Sequence, residues 1–194
     1  IRAWEITSDS NHELAWTSEA GENDNLLYSL EGGKSYGVAM GNLDDDDNLE
    51  IVVGSGSGRV YVFDGNTHET QWVSPVLDKL PIGVAIGDLN DNGNNEIAIT
   101  TGLPAEPKGE DGNGGEGYFY VFEKNGDDFT QAFKSDDIDA AYGLTISELD
   151  GSTYPEIGIG TGYLEIISAT AGTTELHGSV KIWGYGGSSY SQEW

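Results

Sequence analysis

The chain has 194 residues, with 34 acidic against 8 basic side chains and a formal charge of −26 at neutral pH. That surface lacks the cationic footprint that nucleic acid and anionic membranes require, so neither is expected as a partner. No apolar run nears the ~20 residues of a membrane span. With no Cys, disulfides and thiolate metal sites are excluded. Ten Tyr, five Trp and five Phe argue against the disorder that such a charge would otherwise suggest. Gly, at 29 residues, is about twice as frequent as usual and points to a turn-rich all-β chain.

In chain order, the N-terminus reads as two strands, Ile1–Trp4 and His12–Trp16. A motif then repeats without gaps: 36–43 (YGVAMGNL), 82–89 (IGVAIGDL) and 142–149 (YGLTISEL). Each copy predicts a first strand, and each runs through an acidic loop into a second strand at 50–54, 96–100 or 156–160. A third strand ends in an aromatic residue, at 60–63, 119–122 and 180–183, and a fourth carries Trp72, Phe133 or Trp194. All are short, rich in β-branched or aromatic residues, and bounded by Gly, Asn and Asp. The third strand starts at 1, 60, 119 and 180, so the interval is 59, 59 and 61 residues.

The chain therefore reads as one domain, 1–194, made of a half unit (1–16) and three whole units (36–72, 82–133, 142–194). A four-stranded unit of this length fits one blade of a β-propeller. A β-sandwich or a solenoid could use the same strands. Three and a half blades cannot close an ordinary ring, so a longer parent chain or self-association is expected to complete it. The apolar second strands suit burial on both faces. The glycine pairs Gly37/Gly41 and Gly83/Gly87 suit close packing of first strands.

The three loops carry the chemistry. Oxygen side chains occupy positions 1, 3, 5 and 9: Asn42, Asp44, Asp46, Glu50; Asp88, Asn90, Asn92, Glu96; Glu148, Asp150, Ser152, Glu156. The carbonyl of position 7 (Asn48, Asn94, Tyr154) can complete a shell. Only hard oxygen donors are offered, which favours Ca2+ over Zn2+. The span is too short for an EF-hand, whose last ligand is at position 12. An acidic hairpin turn is the alternative reading, since Asn, Asp and Gly favour turns for local reasons. Against it stand three loops in register and four consecutive aspartates, 44–47, that repel one another without a cation. Gly93 at position 6 of the second loop suits a left-handed backbone, whereas Thr153 at that position of the third resists one. Two Ca2+ ions are expected in the first two loops and a weaker third at Asp150 and Glu156.

The stretch 87–99 (GDLNDNGNNEIAI) resembles the FG-GAP/VCBS repeat of integrin α-subunit propellers and many microbial surface proteins. The resemblance implies a calcium-binding propeller blade, with the ion in the loop between the first two strands. It departs from the pattern at Asn42, Glu148 and Ser152/Thr153.

His12 and His68 occupy equivalent repeat positions beside the turn between third and fourth strands, which points to a structural role, with His68-Glu69 read as strand; His177 has no assigned role. No nucleophile elbow, phosphate loop or nucleotide fingerprint occurs. Insertions of the second and third units lie between second and third strands, opposite the acidic loops, where a protein or glycan ligand is expected to bind. The Gly-rich run 109–117 is read as a mobile linker unless a partner orders it. The leading expectation is a non-catalytic, calcium-stabilised adhesion or scaffold module, secreted or at the cell surface. A self-assembling filament or surface-layer subunit is one alternative. A polysaccharide-active enzyme or its binding module is another.

Overall fold

The computed structural model describes residues 2–8, 11–17, 37–44, 46–102, 107–108, 115–168 and 173–194, the first two segments as backbone only. Tyr36, Asp45 and most of the Gly-rich run (109–114) lie outside the described residues. The described residues are all-β, and no helix among them is long and apolar enough to cross a membrane. Strands β1 (Arg2–Ser8) and β2 (Asn11–Thr17) pair antiparallel, longer than the two short strands expected there.

Three antiparallel four-stranded sheets follow. The first is β3 (Val38–Gly41), β4 (Glu50–Gly54), β5 (Val60–Phe63) and β6 (Thr70–Val73), in that spatial order. The second takes β7 (Pro81–Gly87) and β8 (Glu96–Thr101), passes over the short β9 (Pro107–Lys108), and continues with β10 (Phe119–Asn125) and β11 (Asp128–Lys134). The third is β12 (Ala141–Ser147), β13 (Glu156–Ser168), β14 (Thr173–Tyr185) and β15 (Tyr190–Gln192), with β9 added in parallel to β13. Apart from β9, consecutive strands of each sheet are antiparallel neighbours. Each acidic loop is closed by one cross-strand pair: Gly41/Glu50, Gly87/Glu96 and Ser147/Glu156.

The cores lie between consecutive sheets. Alternation sends Val52, Val62 and Trp72 of the first sheet toward Ile97, Ile99, Tyr120 and Phe122 of the second. Trp72 meets Phe122 edge-on at 5.4 Å and Phe129 at 5.2 Å. The other face of the second sheet sends Ala98, Phe119 and Val121 toward Ile157, Ile159, Trp183 and Tyr190. β4 and β8 are buried along their whole lengths, which explains their unbroken apolar runs. The far face of the third sheet is open among the described residues. Leu149 is 62% exposed there and Val180 57%, although their repeat equivalents Leu43, Leu89 and Val60 are buried.

Three expectations are corrected. Trp194 lies beyond the end of β15 and is 75% exposed, although its carbonyl accepts the Ile182 N–H in the register that Trp72 and Phe133 occupy. Tyr190 instead buries its ring against Phe119 and Phe133. His68 is not on a strand: it sits in the turn before β6 with φ 63°, held by its N–H to the Asp64 carbonyl. The insertion of the third unit is a continuation of the β13–β14 ladder, in which His177 stacks on Tyr163 and pairs with Glu165.

First strands of neighbouring sheets approach through glycine. A Cβ added at Gly37 would meet Val84 N at 2.6 Å and the Ile82 carbonyl at 2.7 Å, both backbone atoms that cannot swing aside. A Cβ at Gly160 would meet nothing within 4 Å. Gly37→Ala should therefore cost about 1–3 kcal/mol in urea unfolding, and Gly160→Ala less than about 0.5 kcal/mol. Equal losses would show that the strands do not approach this closely.

Candidate metal centre

The glutamate that opens each second strand is buried: Glu50, Glu96 and Glu156 are 0%, 1% and 3% exposed. Each turns back across its own hairpin. Oε2 accepts the N–H of the loop's second residue, from Leu43 at 2.6 Å, Leu89 at 2.7 Å and Leu149 at 2.6 Å. The leucine side chain of the first two loops enters an intersheet core, so one residue joins loop to core. The remaining oxygen, Oε1, points the other way.

Local bonds shape the rest. Position 3 accepts the N–H of position 5 in every loop: Asp44 from Asp46 at 3.0 Å, Asn90 from Asn92 at 3.1 Å, Asp150 from Ser152 at 2.8 Å. Position 5 accepts the N–H of position 7 in two loops, Asp46 from Asn48 at 2.6 Å and Asn92 from Asn94 at 2.8 Å. These are the side-chain-to-backbone turns that Asn and Asp favour. At position 1, Asp88 accepts Asn92 N and Gly93 N, and Glu148 accepts Asp150 N and Gly151 N. Asn42 instead donates its amide to the Asp46 carbonyl at 2.6 Å. The position-7 carbonyl of Tyr154 is taken by the Ser152 hydroxyl at 2.7 Å.

Left-handed backbone falls at position 4, not only at position 6. Asp91 has φ 56°, Gly93 88° and Gly151 82°. Thr153 has no positive φ, so the strain expected there does not arise.

The arrangement gathers oxygens. One carboxylate oxygen from each of Asp44, Asp46 and Glu50 lies within 4.8 Å of the others, and the same holds for Glu148, Asp150 and Glu156. Oxygens bound at about 2.3–2.6 Å to one Ca2+ lie at most about 4.6–5.2 Å apart, so this spacing is compatible with a shared ion. The second loop has carboxamides at positions 3 and 5, with Asp88 and Glu96 as its acids. Glu50 Oε1 is buried with no hydrogen-bond partner. A buried, unsatisfied carboxylate oxygen is costly, and a bound cation is the partner its chemistry asks for. The corresponding oxygens of Glu96 and Glu156 receive Asn90 Nδ2 and Ser152 Oγ, each at 3.2 Å.

Burial pushes the Glu50 carboxyl above its ordinary range, reinforced by the charges of Asp44 and Asp46 and opposed by the Leu43 N–H. Burial also pushes Glu96 up to about 7, with Glu123 and Asp88 adding to it and the Leu89 N–H opposing it. Glu123 (on β10), Gln71 and Asn95 were not anticipated from the sequence. Asn90 Nδ2 donates to Glu123 at 3.1 Å, Gln71 Nε2 to Asp44 at 3.1 Å, and Asn95 Nδ2 to the Asn42 carbonyl at 2.7 Å. The last bond ties the first loop to the second, and a polar cleft of about 520 Å³ opens between them.

No family model matches the chain, and no curated protein matches it in sequence.

The raised Glu96 carboxyl gives a signed pH dependence. The folded state holds this proton more tightly than the unfolded chain, so its contribution is present below pH 4.5 and is lost as pH rises through about 7. In chelator, Glu96→Gln should remove that loss and be more stable than the unsubstituted chain at pH 8, by up to about 3 kcal/mol. Melts from pH 4 to 8 measure the difference between the two chains. Parallel pH profiles would show that Glu96 ionises normally.

Proposed function

We propose that the chain is a calcium-binding section of a β-propeller, with its sheets as blades and its ions in the loops joining the first and second strands. The observation that carries this reading is Glu50 Oε1, buried without a partner beside Asp44 and Asp46. Recurrence of the buried glutamate in three loops supports it, as does the oxygen spacing that resembles the FG-GAP/VCBS repeat. Sites one and two are the principal ones. The third is weaker, because Ser152 and the Tyr154 carbonyl bond each other and Asp150 is exposed.

The module serves adhesion or scaffolding at a cell surface or in secretion, without catalysis. Millimolar external calcium suits several weak sites, and the charge of −26 suits calcium-rich surroundings. A protein or glycan ligand would bind at the end of the sheets opposite the loops, where β9 and the β13–β14 hairpin come together.

Ca2+ added after chelation should raise the melting temperature, by about 5–10 °C if the ion reaches ~100 times its dissociation constant. Glu50→Gln should shrink that shift while stabilising the chelated chain. No shift at millimolar Ca2+, or an equal shift with a monovalent salt at matched ionic strength, rejects the reading.

A self-assembling subunit is favoured by one observation, the exposure of Leu149, Val180 and Trp194 on one sheet face. That reading expects the light-scattering mass to rise with concentration and Trp194→Asp to suppress the rise. A constant monomer mass rejects it.

A further inference from the structure

Behind position 3 of the first two loops stands a side chain from the outer strands of the same sheet. Its chemistry changes with the residue it meets. In the first sheet position 3 is Asp44. Gln71 of β6 donates Nε2–H to Asp44 Oδ2 at 3.1 Å and, more loosely, to Asp64 Oδ2 at 3.5 Å. In the second sheet position 3 is Asn90, and its Nδ2 donates to Glu123 Oε1 of β10 at 3.1 Å.

The repeat makes these places equivalent. Asp64 and Glu123 each follow the aromatic residue that closes the third strand's core segment, Phe63 or Phe122. Gln71 is the extra residue between the pairs Val62/Trp72 and Phe63/Thr70, and Ala132 is the extra residue between Val121/Phe133 and Phe122/Gln131. An acid at position 3 is thus met by an amide, and an amide at position 3 by an acid. Where Gln71 has become Ala132, the carboxylate behind it reaches the loop directly. In the third sheet the place of Asp64 and Glu123 is taken by Gly184, which has no side chain to offer.

The consequence is orientation. Asp44 and Asn90 each use Oδ1 to accept the N–H of position 5. The outer atom, Oδ2 in one case and Nδ2 in the other, is held by the buttress. An amide is polar end to end, and only its oxygen can ligate a cation. Asn90 Nδ2 is shared between Glu96 Oε1 at 3.2 Å and Glu123 Oε1 at 3.1 Å, so a carboxylate at 123 can keep the amide when a cation takes Glu96 Oε1, with Asn90 Oδ1 held on the other side of the amide. Glu123 also brings a further carboxylate beside a loop whose positions 1, 3, 5 and 9 hold only two, Asp88 and Glu96, against three at those positions of the first loop.

We propose that Glu123 and Gln71 are positioning residues that fix the position-3 ligand of their loops for a hard divalent cation, each matched to the charge of the residue it holds. This rests on the calcium reading above and adds to it a rule: the pair must be exchanged together.

The test is an exchange cycle on the whole chain: unsubstituted, Glu123→Ala, Asn90→Asp, and Asn90→Asp with Glu123→Gln. Ca2+ titrations are followed at the Asn92 and Gly93 amide resonances, which report the second loop alone. Asn90→Asp puts two carboxylates together with no donor between them. The double variant recreates the pairing of Asp44 with Gln71. The double variant should bind Ca2+ at least about fivefold more tightly than Asn90→Asp alone. Glu123→Ala should weaken binding and move the Asn90 side-chain amide resonances in chelator. Equal affinities of Asn90→Asp and the double variant, or a Glu123→Ala chain with unchanged Asn90 resonances, overturn the inference. If Ca2+ moves no Gly93 resonance in the unsubstituted chain, the calcium reading fails instead. Melting in chelator then still decides the pairing: Asn90→Asp must lower the melting temperature and Glu123→Gln must restore it, or the positioning role is overturned.

Discussion

A buried glutamate bonded across its own hairpin is the contact on which the loops and the sheets both depend. Glu50, Glu96 and Glu156 begin the second strand of their sheets and hold the N–H of the leucine two residues past the end of the first. That bond closes the nine-residue loop at its narrowest point. In the first two loops it also sets the leucine into the intersheet core. Neither half is easily kept without the other. Burying a carboxylate is unfavourable unless its oxygens are satisfied, and one N–H satisfies only one of the two. The second oxygen therefore has to be met from inside the loop, and its partners differ: none for Glu50, an amide for Glu96, a hydroxyl for Glu156. The three loops are variations on how that oxygen is met.

Much of the architecture was legible because its determinants are local. Strands β4, β8 and β10 are runs of Ile, Val and aromatic residues bounded by Gly, Asn and Asp, and period-two alternation sorts Val62 from Phe63 onto opposite faces. The spacing of oxygens along each loop likewise follows from backbone turns within two residues of one another. What escaped was set at a distance or by the absence of a neighbour. Glu123 is 33 positions from Asn90, and only the register of β10 beside β8 brings them together. Trp194 has the register of a core residue but meets no following sheet among the described residues, whereas Tyr190 is buried against the second sheet. Position 4 takes a left-handed turn in both the second and the third loop, and position 6 does so only in the second. A glycine at position 6 drew attention there, while Asp91 adopts the same region without one.

Charge ties these observations together. With 34 acids on 194 residues, the chain carries a large self-repulsion that a compact fold intensifies. The acids at positions 1, 3 and 5 accept backbone N–H groups within their own loops. Burial pushes the Glu50 and Glu96 carboxyls toward the neutral form. In the first loop the charges of Asp44 and Asp46, within 4.8 Å, push the buried Glu50 carboxyl further the same way. A divalent ion held by these three carboxylates would offset that repulsion.

The third loop shows how core and site are coupled. Its glutamate makes the same bond to Leu149, but that leucine is 62% exposed where Leu43 is 4% and Leu89 is 0%. The side chain that anchors the loop elsewhere has here nothing to pack against among the described residues. Glu156 itself stays buried, and the Ser152 hydroxyl lies between the Tyr154 carbonyl at 2.7 Å and Glu156 Oε1 at 3.2 Å. Whatever apolar surface covered Leu149 and Val180 would also dry the neighbourhood of Glu156. Low dielectric strengthens both the penalty on its free charge and the attraction of a cation for it. A cover over the open face would in this way favour a cation in the third loop, through the N–H bond that joins Leu149 to Glu156.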